Sequence, residues 1–130
     1  MKKNRVAFVC LLAISILLLT ACGAKTFELK GITKIELTDG SNGKIVEVIE
    51  EEQIQTIIQS FANNEFKKGQ SSSDTTGWSY RLKFYQDDNT QADITVMNNE
   101  RISFDGYFYD TKDGTINIIY LDEILNKTEE

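Results

Sequence analysis

Trp78-Ser79-Tyr80-Arg81-Leu82-Lys83-Phe84-Tyr85-Gln86 decides the fold, because its side chains alternate without a break. Trp78, Tyr80, Leu82 and Phe84 share one side, and Ser79, Arg81, Lys83 and Tyr85 share the other. A period of two is the signature of a strand with one buried face. Ala92, Ile94 and Val96, set against Gln91, Asp93, Thr95 and Met97, repeat the scheme downstream. Keeping apolar opposite apolar restricts the register, since a slip of one residue turns the core face outward. A three-residue loop, Asp87-Asp88-Asn89, satisfies this and sets Leu82 opposite Ile94 and Lys83 opposite Asp93. The second pair is then a charge pair on the wet face, contributing a few tenths of a kcal/mol. Asn98-Asn99-Glu100 reads as a turn into a third strand with Ile102 and Phe104 inward. Asp105-Gly106 turns or bulges the chain into Tyr107-Phe108-Tyr109, so the segment reads as an antiparallel meander of three or four strands.

Upstream, Glu50-Glu51-Glu52 opens the clearest helix, with acidic residues at the positive end of the dipole. Ile54, Ile57, Ile58 and Phe61 fall at i, i+3, i+4 and i+7, a single apolar stripe. Before it, the runs Ile32–Leu37 and Ile45–Ile49 flank Asp39-Gly40-Ser41-Asn42-Gly43 and read as a hairpin. That turn lacks the spacing and distal glutamate of a calcium loop. Lys67 to Gly77 reads as a polar loop, and residues 22–30 as a short tether whose Phe27 and Leu29 can dock on the domain. Residues 116–120 fit either period; the expectation is a short strand, then a helix over Leu121 to Asn126 and a frayed tail at 127–130. The expected fold is α+β and two-layered, within residues 31–126: hairpin, helix, β-meander and short C-terminal helix. One amphipathic helix packs on one face of an antiparallel β-sheet, and the other face is left to solvent or a partner.

The chain has no histidine and no proline. Lack of histidine removes the commonest general base and transition-metal ligand. With it go Ser-His-Asp and Cys-His catalysis. No metal or cofactor is expected.

The first 22 residues follow a different logic. Met1-Lys2-Lys3-Asn4-Arg5 is basic, Val6 to Leu19 has Ser15 as its one polar side chain, and small residues lead to Cys22. This is the layout of a secretory signal, on a run too short to span a bilayer comfortably. Leu19-Thr20-Ala21-Cys22 resembles the lipobox of bacterial lipoproteins. The resemblance implies cleavage after residue 21, with a diacylglyceryl group on the Cys22 sulfur. Two acyl chains hold a protein stably at a membrane where one does not. Cys10 leaves with the signal and Cys22 becomes a thioether, so no disulfide is expected within a mature chain. Three basic residues and no acidic ones precede Cys22, leaving 11 basic against 20 acidic, a net of −9. That balance argues against nucleic acid and against flat adhesion of the whole body to anionic lipid.

With Ile32 to Ile35, the helix stripe, Tyr80-Arg-Leu-Lys-Phe-Tyr85 and Phe104-Asp-Gly-Tyr-Phe-Tyr109, the chain resembles a group of small lipoproteins of Gram-positive bacteria. The resemblance implies a lipid-anchored extracytoplasmic domain with no catalytic residues to carry over. Element order alone is also similar to secreted inhibitor and propeptide-like modules.

The candidate binding strip is the sheet face away from the helix: Arg81, Lys83, Tyr85, Met97 and Arg101, with Ser79, Thr95, Ser103 and Phe108. Basic and aromatic residues together suit a protein or anionic partner. The expected function is a non-enzymatic binding module on the outer side of the cell membrane. An accessory lipoprotein of an envelope complex is the alternative, and a carboxylate-based envelope enzyme is a third. The placed acidic residues fall in turns, a helix start or wet faces, where a raised pKa is not expected. Replacing Cys22 with Ala should abolish metabolic lipid labelling and leave a larger precursor, both visible on a gel. Processing and release identical to the parent would refute the lipobox.

Overall fold

The computed structural model describes residues 24–73 and 77–127, so Cys22 lies outside the described residues. Strands β1 (Lys34–Asp39) and β2 (Ile45–Val48) form the hairpin, and α1 (Glu51–Ala62) follows. Next come β3 (Phe66–Ser71), β4 (Tyr80–Gln86), β5 (Asn89–Val96), β6 (Arg101–Phe104) and β7 (Tyr107–Thr111). The last element is α2 (Ile118–Lys127). All seven strands join one antiparallel sheet in the order β2-β1-β4-β5-β6-β7-β3. Both helices bury their apolar stripes in the same core, against the same sheet face. The architecture is the two-layer α+β arrangement expected, with a wider sheet.

The core forms where the two periods meet. Ile35 and Leu37 of β1, Leu82 and Phe84 of β4, Ile94 and Val96 of β5, and Ile102 of β6 are completely buried. Ile54, Ile57, Ile58 and Phe61 of α1 cover them. The Phe61 ring meets Phe84 edge-on at 5.9 Å and Phe27 at 6.4 Å. Phe27 stands edge-on to Phe66 at 5.4 Å and Phe104 at 5.2 Å. The segment read as a tether therefore belongs to the fold from Lys25, which exchanges backbone hydrogen bonds with Phe66.

The register is as derived: Leu82 lies opposite Ile94 and Lys83 opposite Asp93. The turn that delivers it differs. Gln86 already pairs with Asn89, leaving Asp87-Asp88 as a two-residue turn, and the register shifts by one between Phe84 and Tyr85. A short turn plus a bulge restores the same parity as a three-residue loop. At the next hairpin, Asp105 (φ 51°) and Gly106 (φ 84°) link Phe104 to Tyr107. Two successive positive φ values match the twist of the flanking strands, which suits Asp-Gly.

Three expectations are corrected. Lys67 to Ser71 is not loop but most of β3, paired with β7. Only Phe66 of that strand is buried, so no alternation announces it. Residues 116–120 contain no strand: Asn117 accepts the Tyr120 N–H on Oδ1 and caps α2, which starts at Ile118. Its helical stripe is Leu121, Ile124 and Leu125, while Ile119 is 70 % exposed. Trp78 does not share the core face of Tyr80 and Leu82. It precedes β4, beyond the reach of the strand's alternation, and is 38 % exposed.

α2 is fastened at both ends of its buried side. The Tyr80 hydroxyl donates to Asp122, and the Lys44 ammonium donates to the Leu125 carbonyl at 2.8 Å, near the negative end of the helix dipole.

Replacing Phe61 or Phe84 with Ala should lower stability by about 3–5 kcal/mol, measured by denaturant unfolding. Unaltered melting in both would contradict the packing of α1 on the sheet. Tyr80→Phe removes the bond to Asp122 and should cost about 1–2 kcal/mol at neutral pH. Burial, then the Asp122 hydrogen bond, pushes the Tyr80 phenol well above its ordinary value of 10.0. A raised folded-state pKa gives stability that is complete below the unfolded value and declines as pH rises above it. The parent and Tyr80→Phe melting curves should therefore converge above about pH 10.

Candidate functional site

The face of the sheet turned away from both helices is assembled by register. Thr38, Arg81, Thr95, Ser103 and Phe108 lie in one unbroken cross-strand row from β1 to β7. Alongside run Glu36, Lys83 and Asp93, and then Lys34 beside Tyr85. Met97 follows β5 directly, and its N–H donates to the Arg101 carbonyl. Arg81, Lys83, Tyr85 and Arg101, read from sequence as one strip, therefore share a face, with Met97 at its margin.

The charges are arranged differently from the expectation. Asp93 lies straight across from Lys83 but binds Arg81 instead, accepting from Nε at 3.0 Å and from a terminal guanidinium nitrogen at 2.7 Å. Asp110 takes Arg101 in the same two-pronged way, at 2.7 and 3.2 Å. A guanidinium fork matches both carboxylate oxygens at once, which an ammonium cannot do, and so it wins the diagonal contact. These hydrogen bonds hold both guanidinium groups above their ordinary pKa. Arg101 also lies over the Phe108 ring, 4.9 Å from its centre, and Lys34 lies over Tyr85 at 4.5 Å. The strip is thus a set of neutralised arginine–aspartate pairs interleaved with aromatic rings. Of Lys34, Arg81, Lys83 and Arg101, Lys83 alone has no carboxylate within ion-pair distance among the described residues.

Trp78, Arg81, Asp93, Thr95, Ser103 and Asp105 line a shallow, open concavity of about 320 Å³ on this face. The Ser103 hydroxyl donates to Ser72 Oγ, which brings the β3–β4 connection against the same face. Trp78 reaches the concavity because Gly40 lies beneath its backbone. A Cβ at Gly40 would meet the Trp78 carbonyl oxygen at 2.1 Å. Sequence reading missed Trp78 by extending the strand alternation two residues upstream of Tyr80, where β4 begins.

The hairpin turn is closed by its own polar groups. Asp39 Oδ1 accepts the Ser41 N–H at 2.8 Å and the Ser41 hydroxyl at 2.7 Å, which lowers the Asp39 pKa. This ionised acceptor is turn chemistry and has no general-acid character. Among the described residues, no three His, Cys, Asp or Glu side chains gather closely enough to hold a metal ion. No described helix is long and apolar enough to cross a membrane. Compared with protein-family models, with curated proteins and with solved structures, the chain matches none.

The two arginine–aspartate pairs are half-exposed, so each should contribute under about 1 kcal/mol to stability. Arg81→Ala and Arg101→Ala should accordingly melt within a few degrees of the parent in calorimetry. A much larger loss would mean that the pairs hold the fold together.

Proposed function

We propose that this chain is a lipid-anchored, extracytoplasmic binding module whose uncovered sheet face docks a protein partner. The reading rests on one observation: both helices cover a single face, and the opposite one displays Trp78, Arg81, Tyr85, Arg101 and Phe108 on a continuous sheet. Tryptophan, tyrosine, phenylalanine and arginine are the types enriched at protein interfaces, and Met97 at the margin adds another. A sheet presents them with little ordering left to do on binding, which favours affinity. The paired aspartates make the strip close to neutral, which suits a protein surface better than a polyanion. Attachment to the membrane follows from the signal-like first 21 residues and Cys22. A partner in the same membrane would make the chain an accessory lipoprotein of that complex, using the same face.

Cross-linking on intact membranes tests this with the full chain and three variants. Trp78→Ala and Arg101→Ala alter the face, and Ile119→Ala alters the exposed side of α2 as a control. Truncating an interface anchor typically costs 2 kcal/mol or more, so the first two should reduce capture of the parent's partner about 30-fold. Ile119→Ala should capture like the parent. Loss in Ile119→Ala with retention in the other two, or no captured partner with any form, overturns the reading.

A further inference from the structure

We infer that the β3 edge, carrying Lys25, Lys67 and Lys68, is a docking surface for the anionic phospholipid headgroups of the membrane that anchors the chain; this rests on the proposed lipidation of Cys22. The path of the chain supplies the first reason. Lys25 is bonded to Phe66 through both backbone groups, at the outer edge of the last strand of the sheet. It is three positions past Cys22, and three Cα–Cα steps reach at most about 11 Å. Acyl chains on Cys22 would therefore keep this edge within about one Debye length of the headgroups, where their potential is still felt.

Charge supplies the second reason. Beyond Cys22 the chain has 11 basic and 20 acidic residues, yet three lysines crowd this one edge. Among the described residues, none of the three has a carboxylate within ion-pair distance. Instead the Lys25 ammonium lies 4.8 Å from the centre of the Phe104 ring and 5.1 Å from that of Phe27. The Lys68 ammonium lies 3.9 Å above Tyr107. Lys67 stands opposite Asp110 and thus on the other face, so the lysines straddle the edge. Tyr107, 41 % exposed, adds the amphipathic ring that favours a headgroup layer. A body with a net charge of −9 beyond Cys22 is repelled by an anionic surface. An edge with three lysines free of carboxylate partners among the described residues, held close by the anchor, is the side such a field turns downward.

The test uses the full chain, processed in cells and reconstituted in vesicles of phosphatidylcholine alone or mixed with phosphatidylglycerol. Mass spectrometry first scores acylation of Cys22, then the rate of amine labelling at Lys67, Lys68 and Lys83, the last an internal reference on the sheet face. Each lysine near an anionic surface gains about fivefold in partition, so phosphatidylglycerol should slow labelling of Lys67 and Lys68 about fivefold relative to Lys83. High salt should abolish the difference, and replacing both with glutamate (Lys67→Glu with Lys68→Glu) should abolish the slowing that phosphatidylglycerol imposes on Lys25, read against Lys83 in the same way. An unmodified Cys22 overturns the anchor and this orientation together. With Cys22 acylated, edge lysines labelled equally in both vesicles, or Lys83 protected instead, overturn the orientation alone.

Discussion

Phe61, wedged edge-on between Phe84 of the sheet and Phe27 of the N-terminal segment, is the contact on which the architecture depends. The helix that carries it leaves the β2 edge of the sheet and must deliver the chain to the β3 edge. Six inter-strand gaps span about 29 Å. Twelve helical residues span only about 18 Å. The difference is made up by two short connectors, residues 49–50, extended at Glu50, and residues 63–65, which continue the last helical turn at Asn63 before the strand, and a crossing with so little slack has few allowed paths. Phe61 sits in the last turn of α1 and fixes where that crossing ends. Phe27 then closes the far side, and Phe66 begins β3 directly against it. Each edge-to-face pair adds about 0.5–1.5 kcal/mol beyond burial, so three rings in series hold helix, sheet and N-terminal segment as one unit.

Among the described residues this arrangement leaves one face of a seven-stranded sheet without a cover, and the chemistry there follows from that. A wet sheet face need only be polar; this one is ordered as well. The arginine–aspartate forks contribute little stability at such exposure. Their effect is positional, because a guanidinium bound at two points lies in a fixed plane and its remaining N–H groups face a known direction. Tyr85 and Phe108 are similarly placed under Lys34 and Arg101. Ordering side chains before a partner arrives lowers the entropic cost of association.

Much of this was legible in the residues because two strong periods were at work. Alternation in β4 and β5 gave the core face and, through parity, the correct register, even though the turn is shorter than inferred and a bulge makes up the difference. The Ile54, Ile57, Ile58, Phe61 stripe gave α1. Legibility failed wherever one side chain did the work of a pattern. β3 has Phe66 inside and five exposed residues after it, and its strand character comes from β7 and Lys25 rather than from its own sequence. α2 overlaps a run that fits both periods, and only the Asn117 cap, a single side-chain acceptor, marks its start. Straight-across pairing suggested Lys83 for Asp93, but side-chain shape selected the diagonal Arg81.

Edge and face are set at right angles by the sheet itself. With β3 at the headgroups, the strands stack upward from the membrane and β2 lies farthest from it, about 29 Å above. The uncovered face then looks sideways along the membrane, and the row from Phe108 to Thr38 runs from near the surface outward. For a chain anchored as proposed, a partner meeting such a face would be one standing in the same membrane, where two-dimensional confinement raises its effective concentration in the way a short linker does. A modest interface is enough under those conditions. That is consistent with a strip whose arginines are already satisfied by neighbours of their own and whose binding would come from aromatic rings and shape.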